Sequence, residues 1–198
     1  MKHLKTLGLA AVAVAALMAT AGAGSASATV FCKENATPCP AEKRWAVNTE
    51  FKSSLEAGQA VIKAGLAEIK CGKSNVNGSI SNAGAEGAPV ILKLEQFSFE
   101  ECGCPVTTLK PGSMSAAWTN GTMNAGLTIA NTQVTFNCMG HCIYGEGPLG
   151  ALTGGAMATM DVDATLNKVA GGAFCPATAT LEADYTVTAP EPLYVAEK

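Results

Sequence analysis

Apolar and polar residues alternate along much of the chain, which is the pattern of strands that bury one face. Across residues 47–55, apolar or small residues at every second position alternate with Asn48, Glu50 and Lys52. The same period of two recurs in residues 92–94, 123–129, 134–138, 160–166 and 181–187. Each of these segments predicts a half-buried β-strand.

Turn-forming residues separate these segments. They are Asn77-Gly78, Asn82-Ala83-Gly84, Pro111-Gly112, Asn120-Gly121 and Gly171-Gly172. The clearest hairpin signal is Asn120-Gly121, which lies between Trp118 and Met123.

The apolar parity shifts within residues 92–99. Leu92 and Leu94 share one parity, whereas Phe97 and Phe99 share the other. One extra residue near Glu95 or Gln96 would make this a β-bulge, and a strand buried on both faces fits the same letters.

Helix signals are weak, and the chain reads as all-β. Residues 54–70 could be written as a helix, but Gly58 and Gly65 interrupt it at a cost of about 1 kcal/mol each relative to alanine. We expect instead a strand pair bent at Ala57-Gly58. Short strands separated by frequent turns predict a single all-β domain, an antiparallel β-sandwich or barrel-like fold over residues 29–198. The segment from about residue 189, with Pro190 and Pro192, is expected to be an extended edge segment.

The first 28 residues have the features of a Sec-type signal peptide. Lys2, His3 and Lys5 precede an apolar run over residues 7–19, which is too short to span a membrane. Ala26-Ser27-Ala28 then matches an A-x-A cleavage signal. We therefore expect cleavage after Ala28 and a secreted mature chain without a transmembrane segment.

The charge balance of that mature chain disfavours nucleic acid as a partner. Without Lys2 and Lys5 it carries 11 basic and 16 acidic side chains, a formal charge of −5, and its basic residues form no stripe.

All eight cysteines lie beyond the predicted cleavage site, so an exported chain predicts a disulfide framework. They are Cys32, Cys39, Cys71, Cys102, Cys104, Cys138, Cys142 and Cys175. Short spacing predicts the bridges Cys32–Cys39 and Cys138–Cys142. By elimination the other four cysteines pair among themselves, with Cys71 bonded to Cys102 or Cys104 as one option.

The segment Cys138-Met139-Gly140-His141-Cys142 is the strongest candidate for chemistry, because it also holds the mature chain's single histidine. Haem attachment requires a different spacing. Zinc would need further ligands from cysteines expected in bridges, whereas copper(I) could accept Cys, Met and His. We interpret the segment as a local disulfide loop with His141 at its tip, and metal binding is the alternative.

Cys102-Gly103-Cys104 raises the question of thiol oxidoreductase chemistry. Glu100 and Glu101 would raise a neighbouring thiol pKa, and no βαβ pattern surrounds the motif. A bridge between residues i and i+2 is strained, so we expect each cysteine to pair with a distant one.

Further features of the sequence bear on its candidate chemistry. Asp161 and Asp163 lie on one strand face, where they could share a calcium ion or act as paired carboxylates. We favour the interpretation that they belong to a solvated polar face. Trp45 could be an exposed sugar-binding platform, and Trp118 in its alternating strand is expected in the core. Sequons at Asn35, Asn77 and Asn120 fall in predicted loops or turns. A hydrolase lacks support, because His141 is the only candidate imidazole in the mature chain and no G-x-S-x-G sequence occurs.

Several strings in the chain resemble a group of secreted, cysteine-containing β-proteins from soil actinobacteria. They are ATVFC at 28–32, FSFEECGC at 97–104, CIYG at 142–145, LTGG at 152–155, ATMDVDATL at 158–166, GGAFCPATA at 171–179 and DYTVTAPEPLYV at 184–195. The resemblance implies export and an all-β domain, and it carries over no catalytic residue. The close spacing of Cys102 and Cys104 departs from the wider spacing expected in that group.

These observations predict a secreted, non-catalytic β-domain without a cofactor, acting as a binding or structural module at the cell envelope or outside the cell. The alternatives are a carbohydrate-binding or a copper- or zinc-binding module. A secreted hydrolase or thiol oxidoreductase is less well supported.

Overall fold

A computed structural model describes residues 28–82, 84, 88–138 and 140–198. The predicted signal peptide therefore lies outside the described residues except for Ala28. The elements are β1 (Thr29–Cys32), a short 3-10 turn (Ala41–Lys43), β2 (Glu50–Leu55), β3 (Ala60–Ala64), β4 (Ala67–Ile80), β5 (Val90–Cys102), β6 (Val106–Lys110), β7 (Ser113–Trp118), β8 (Asn124–Ala130), β9 (Gln133–Phe136), β10 (Cys142–Gly145), β11 (Gly147–Thr153), β12 (Thr159–Ala170), β13 (Thr178–Ala189) and β14 (Tyr194–Glu197).

Twelve of the strands, β2 to β13, form one antiparallel sheet that closes into a ring. The chain runs up and down through eight positions. Four positions are single long strands, namely β4, β5, β12 and β13, and the other four are consecutive short strands that share a position: β2 with β3, β6 with β7, β8 with β9, and β10 with β11. The ring closes because β13 pairs with β12 on one side and with β2 and β3 on the other. The expectation of an all-β, barrel-like single domain is confirmed.

One half of the ring is bonded all the way round, and the other half is interrupted. Through β2, β4, β5, β7, β8, β11, β12 and β13 every neighbour is paired. In the other half β6 pairs with β9 and not with β5. Across this seam the side chain of Thr108 donates a hydrogen bond to the Phe97 carbonyl.

The predicted alternation explains how these residues fill the ring. On β12, Met160, Val162 and Ala164 are buried, whereas Asp161 and Asp163 are exposed. The long strands β4 and β13 alternate in the same way, so each contributes one face to the main core. That core includes Phe51, Leu92, Met114, Leu127, Leu152, Leu181 and Tyr185.

The two ends of the ring are built differently. At one end β1 and β14 form a separate antiparallel ribbon, in which Phe31 and Val195 are buried in the main core. The hydroxyl of Thr29 accepts a hydrogen bond from the Trp118 backbone N–H at 2.8 Å, which fixes the ribbon to β7. We call this the ribbon end. The opposite end, which we call the rim, carries the connections after β3, β5, β9 and β12.

The bend at Ala57-Gly58 is confirmed, since β2 ends at Leu55 and β3 begins at Ala60, and residues 54–70 contain no helix. The parity shift in β5 is a bulge. Gln96 pairs with Asn77 and Leu94 pairs with Gly78, so Glu95 is the extra residue. The predicted bulge near Glu95 or Gln96 is therefore confirmed.

The turn predicted at Asn77-Gly78 is wrong. Both residues lie inside β4, which runs without interruption past the bulge of β5, and the sequon at Asn77 is therefore in a strand. Gly78 is required there for a different reason: a Cβ at this position would overlap the carbonyl oxygen of Lys93. The strand predicted from Val47 also starts later, at Glu50, because Asn48 adopts a positive φ of 67°.

Among the described residues, no helix has both the length and the apolar character needed to cross a membrane.

Candidate functional site

All eight cysteines are oxidised in four disulfides. The predicted bridge Cys32–Cys39 is confirmed, and Cys71 pairs with Cys102, which is one of the two options left open. The predicted bridge Cys138–Cys142 is wrong. Cys138 pairs with Cys104 and Cys142 pairs with Cys175, each with Cα atoms 5.6 Å apart.

Strand register explains why the adjacent cysteines do not pair. On the ladder between β6 and β9, Val106 lies opposite Phe136. Two residues further along this antiparallel register, Cys104 comes opposite Cys138. Cys71 and Cys102 are direct partners on the β4–β5 ladder. The spacing of the two cysteines within the CMGHC segment could not predict these pairings, because they depend on which strands are neighbours and in which register.

The three long-range bridges form a covalent band along the rim. Cys102 and Cys104 belong to successive bridges, and so do Cys138 and Cys142. In each closely spaced cysteine pair, therefore, one cysteine belongs to one disulfide and the other cysteine belongs to the next disulfide along the rim. Neither pair forms the internal dithiol couple that thiol exchange within one motif would require.

His141 lies in the exposed connection between β9 and β10. Its Nδ1 atom is 3.0 Å from the Asn137 side-chain oxygen and 3.4 Å from the Thr135 hydroxyl. Within the described part of the chain it has no hydrogen bond to a carboxylate or a serine. Met139 lies outside the described residues, and no group of three or more His, Cys, Asp or Glu side chains suited to a metal ion occurs among those described.

Asp161 and Asp163 are both exposed on one face of β12, as the alternation predicts. The register places Asp184 opposite Asp161 and Glu182 opposite Asp163. With Glu56, these carboxylates line a shallow depression of about 430 Å³ beside the break between β2 and β3. Like charges directly opposite on neighbouring strands repel each other, so this surface is a solvated acidic wall.

Lys63 partly neutralises that wall. Its Nζ atom lies 2.8 Å from Glu182, and this hydrogen bond is the main reason that the pKa of Lys63 is raised. The pair is exposed, so its contribution to stability is small.

Trp45 does not present a free aromatic face in the way a sugar-binding platform would. The ammonium group of Lys33 lies 4.8 Å from the centre of its ring, and its indole N–H donates to the Pro192 carbonyl at 3.1 Å.

Trp118, expected in the core, is instead partly buried, and it lines a cavity at the ribbon end. This cavity, which we call the Trp118 dish, has a volume of about 470 Å³. Its lining includes Asn35, Thr37, Trp118, Asn120, Met123 and Glu197. An aromatic ring beside a few polar groups in a cavity of this size is typical of a small-molecule binding site.

The hairpin that carries Trp118 is the one predicted from Asn120-Gly121. Gly121 adopts a φ of 76°, which few other residues tolerate. The turn brings the Thr122 carbonyl to 2.7 Å from the Trp118 indole N–H, so the ring plane is fixed by its own hairpin. Sequence reasoning identified the hairpin and missed the dish, because the other two walls come from distant parts of the chain.

No protein-family model matches this chain, and neither a curated protein nor a solved structure shows significant similarity to it.

Proposed function

We propose that this protein is a secreted, non-catalytic binding module that acts outside the cell or at the cell envelope. The disulfide-rich all-β domain supports an extracellular role, because four bridges persist in an oxidising compartment and not in a reducing cytosol. The proposed secretion also rests on the signal peptide predicted for residues 1–28. Membership of the actinobacterial group stays a prediction.

The observation that carries the proposal is the contrast between His141 and the Trp118 dish. A hydrolase needs its base beside a nucleophile and an orienting group in one cavity. His141 instead contacts an amide and a hydroxyl in the rim region. The Trp118 dish lies at the ribbon end and combines an aromatic ring with amide groups.

The observed disulfides argue against two of the alternative functions suggested by the sequence, metal binding and thiol oxidoreductase chemistry, but not against carbohydrate binding. Copper or zinc binding at the CMGHC segment would require thiolates, and both cysteines are instead consumed in disulfides with other partners. Thiol oxidoreductase chemistry meets the same objection at Cys102 and Cys104. The carbohydrate alternative is compatible with the lining of the Trp118 dish.

The test is a binding experiment on the protein as its host exports it. Protein purified from culture medium is incubated with intact envelope fractions, and the fraction retained after washing is compared with that of the same protein reduced and alkylated. We expect saturable retention of the oxidised protein only. Equal retention of both forms would indicate non-specific adsorption, and the absence of retention on every envelope fraction would contradict an envelope role.

A further inference from the structure

Three separate parts of the chain build the Trp118 dish, and each is held in place. Asn35 and Thr37 come from the loop closed by Cys32–Cys39, Trp118 and Asn120 come from the β7–β8 hairpin, and Glu197 ends β14. The Cys39 backbone N–H donates to the Glu197 carbonyl at 2.9 Å. The walls are therefore preorganised, which reduces the entropy that a ligand would lose on binding.

The small N-terminal loop is also tied internally. The Arg44 guanidinium donates two hydrogen bonds to the Cys39 carbonyl, at 3.1 and 2.9 Å. The Cys32–Cys39 bridge is the one bridge away from the rim band, and its loop forms a wall of the dish.

Trp118 offers this cavity an apolar surface and no donor. Its indole N–H is used by the Thr122 carbonyl, and part of the ring packs against the main core. Trp118 is also among the residues that line the dish. An aromatic surface whose orientation is fixed suits the face of a sugar ring, where C–H groups project, better than it suits a ligand that needs a hydrogen-bond acceptor.

Polar groups surround that surface. Within the described residues, the structure gives the side chains of Asn35, Asn120, Thr37 and Glu197 no hydrogen-bond partner, although each lines the dish. Two amides, a hydroxyl and a carboxylate supply both donors and acceptors. Hydroxyl groups of a saccharide, and the amide of an N-acetylated sugar, are ligands that match this set.

The charge of the lining narrows the class of saccharide. Glu197 is the charged residue among those that line the dish, and no lysine or arginine is among them. The lysines of the adjoining segments are occupied elsewhere: Lys33 lies over Trp45, and the Lys198 ammonium donates to the Gly84 carbonyl at 3.1 Å. An acidic sugar would meet a carboxylate without a compensating cation.

We infer that the Trp118 dish is a binding subsite for neutral saccharides, which stack on Trp118, hydrogen-bond to Asn35 and Asn120, and are preferred over acidic saccharides because of Glu197. This inference rests on the proposed binding module and names the ligand class of its site.

The test is calorimetric titration of the purified, fully oxidised protein with three defined trisaccharides. Two are neutral, the trimer of N-acetylglucosamine and the trimer of glucose, and the third is the trimer of galacturonic acid. We expect at least one neutral trimer to bind and the acidic trimer to bind at least about tenfold more weakly. Replacing Glu197 with Gln should reduce this difference between neutral and acidic trimers.

The chain offers a matched control for Trp118. Trp45 is also partly buried against the main core, but it does not line the dish. Trp118→Ala should weaken binding of the neutral trimer by at least about tenfold, and Trp45→Ala should leave it unchanged. Trp118→Phe should retain part of the affinity, because it keeps an aromatic face. If Trp118→Ala fails to fold, Asn120→Ala provides a second test, because Asn120 lies at an exposed turn position. We expect this variant also to weaken binding of the neutral trimer.

The outcomes separate this inference from the function on which it rests. Neutral-trimer binding that is unchanged in both Trp118→Ala and Asn120→Ala, or tighter binding of the acidic trimer, overturns the inference. Specific retention on envelope fractions without binding of any neutral trimer also overturns it, and leaves the binding module standing. Absence of both envelope retention and saccharide binding overturns the inference and also contradicts an envelope role for the binding module.

Discussion

Tyr185 on β13 and Ser74 on β4 are joined across the interior of the ring by a hydrogen bond of 2.7 Å between their hydroxyl oxygens. Ser74 in turn donates to the Ser98 carbonyl on β5 at 2.8 Å. Because the single proton of Ser74 is used there, Tyr185 must be the donor to Ser74. This buried chain of hydrogen bonds connects β13 to the paired strands β4 and β5, although β13 and β4 are not neighbours in the sheet.

Burial of the Tyr185 hydroxyl makes stability sensitive to alkaline pH. Burial raises the pKa of Tyr185 to about 12, against about 10 in an unfolded chain. Below about pH 10 the tyrosine is protonated in both states, and its contribution to folding is complete. As the pH rises toward 12 the unfolded chain loses a proton that the folded chain retains, so the free energy of unfolding falls by up to roughly 3 kcal/mol.

Urea unfolding of the wild type and of Tyr185→Phe, at neutral pH and at about pH 11, measures this contribution. At neutral pH we expect Tyr185→Phe to cost about 1 kcal/mol, the value of one hydrogen bond. Between neutral and alkaline pH it should lose less stability than the wild type. Tyr144 and Lys63, whose pKa values are also raised, are present in both proteins and contribute to the remaining loss. An equal loss of unfolding free energy in the wild type and in Tyr185→Phe between the two pH values would contradict a raised pKa for Tyr185.

Loop length predicts which bridges matter most for stability. Cys142–Cys175 spans 33 residues, whereas Cys32–Cys39 spans 7, and all four cysteines are buried. The chain-entropy model gives about 4 kcal/mol for the longer loop and about 2.5 kcal/mol for the shorter one. We expect the Cys142→Ser/Cys175→Ser variant to melt at a lower temperature than Cys32→Ser/Cys39→Ser. Equal melting temperatures would show that chain entropy does not govern these bridges.

Exposure predicts which disulfide an external thiol reduces first. Cys138 is exposed and Cys104 partly exposed, whereas both cysteines of Cys142–Cys175 and of Cys32–Cys39 are buried. Thiol exchange requires access to a sulfur atom. Limited reduction without denaturant, followed by alkylation and peptide mapping, should label Cys104 and Cys138 first while the protein stays folded. Earlier labelling of Cys142 and Cys175 would contradict this order.

Two strand glycines with ordinary φ angles provide a matched pair for a packing test. A Cβ at Gly78 would overlap the Lys93 carbonyl opposite the β5 bulge, whereas a Cβ at Gly126 would have no atom within 4 Å. Gly78→Ala should therefore destabilise the protein by about 2 kcal/mol, the usual cost of overpacking, and Gly126→Ala should change stability little. Chemical denaturation of both variants measures the difference, and similar losses would show that the bulge can move to make room.

Processing at Ala28 is tested by the intact mass of the exported protein, which should correspond to a chain that starts at Thr29. Thr29 is the first residue of β1 and lies opposite Glu197 of β14. Cleavage there would leave the ribbon complete. A mature chain that starts several residues later would lack part of β1, and it would contradict both the cleavage site and the ribbon.

The sequence by itself determined the strand content, because a period of two requires only that one face of each segment be buried. Met160, Val162 and Ala164 indicate β12 without reference to any other strand. Local backbone features could also be predicted from the sequence. Asn120-Gly121 indicated the hairpin, and the parity shift beside Glu95 indicated the bulge. The pairing of Cys32 with Cys39 also followed from proximity along the chain.

Tertiary structure alone decided what depends on register and on chain closure. The short spacing of Cys138 and Cys142 favours a local disulfide loop. The β6–β9 register instead places Cys104 opposite Cys138, and Cys142 pairs with Cys175. Asn77-Gly78 is a dipeptide typical of turns, but it lies within β4, opposite the β5 bulge. The Trp118 dish unites residues from positions 35 to 197, which meet only because β14 returns to pair with β1. Period and turn chemistry are properties of neighbouring residues, whereas the contacts that pair cysteines and form cavities are made between residues far apart in the chain.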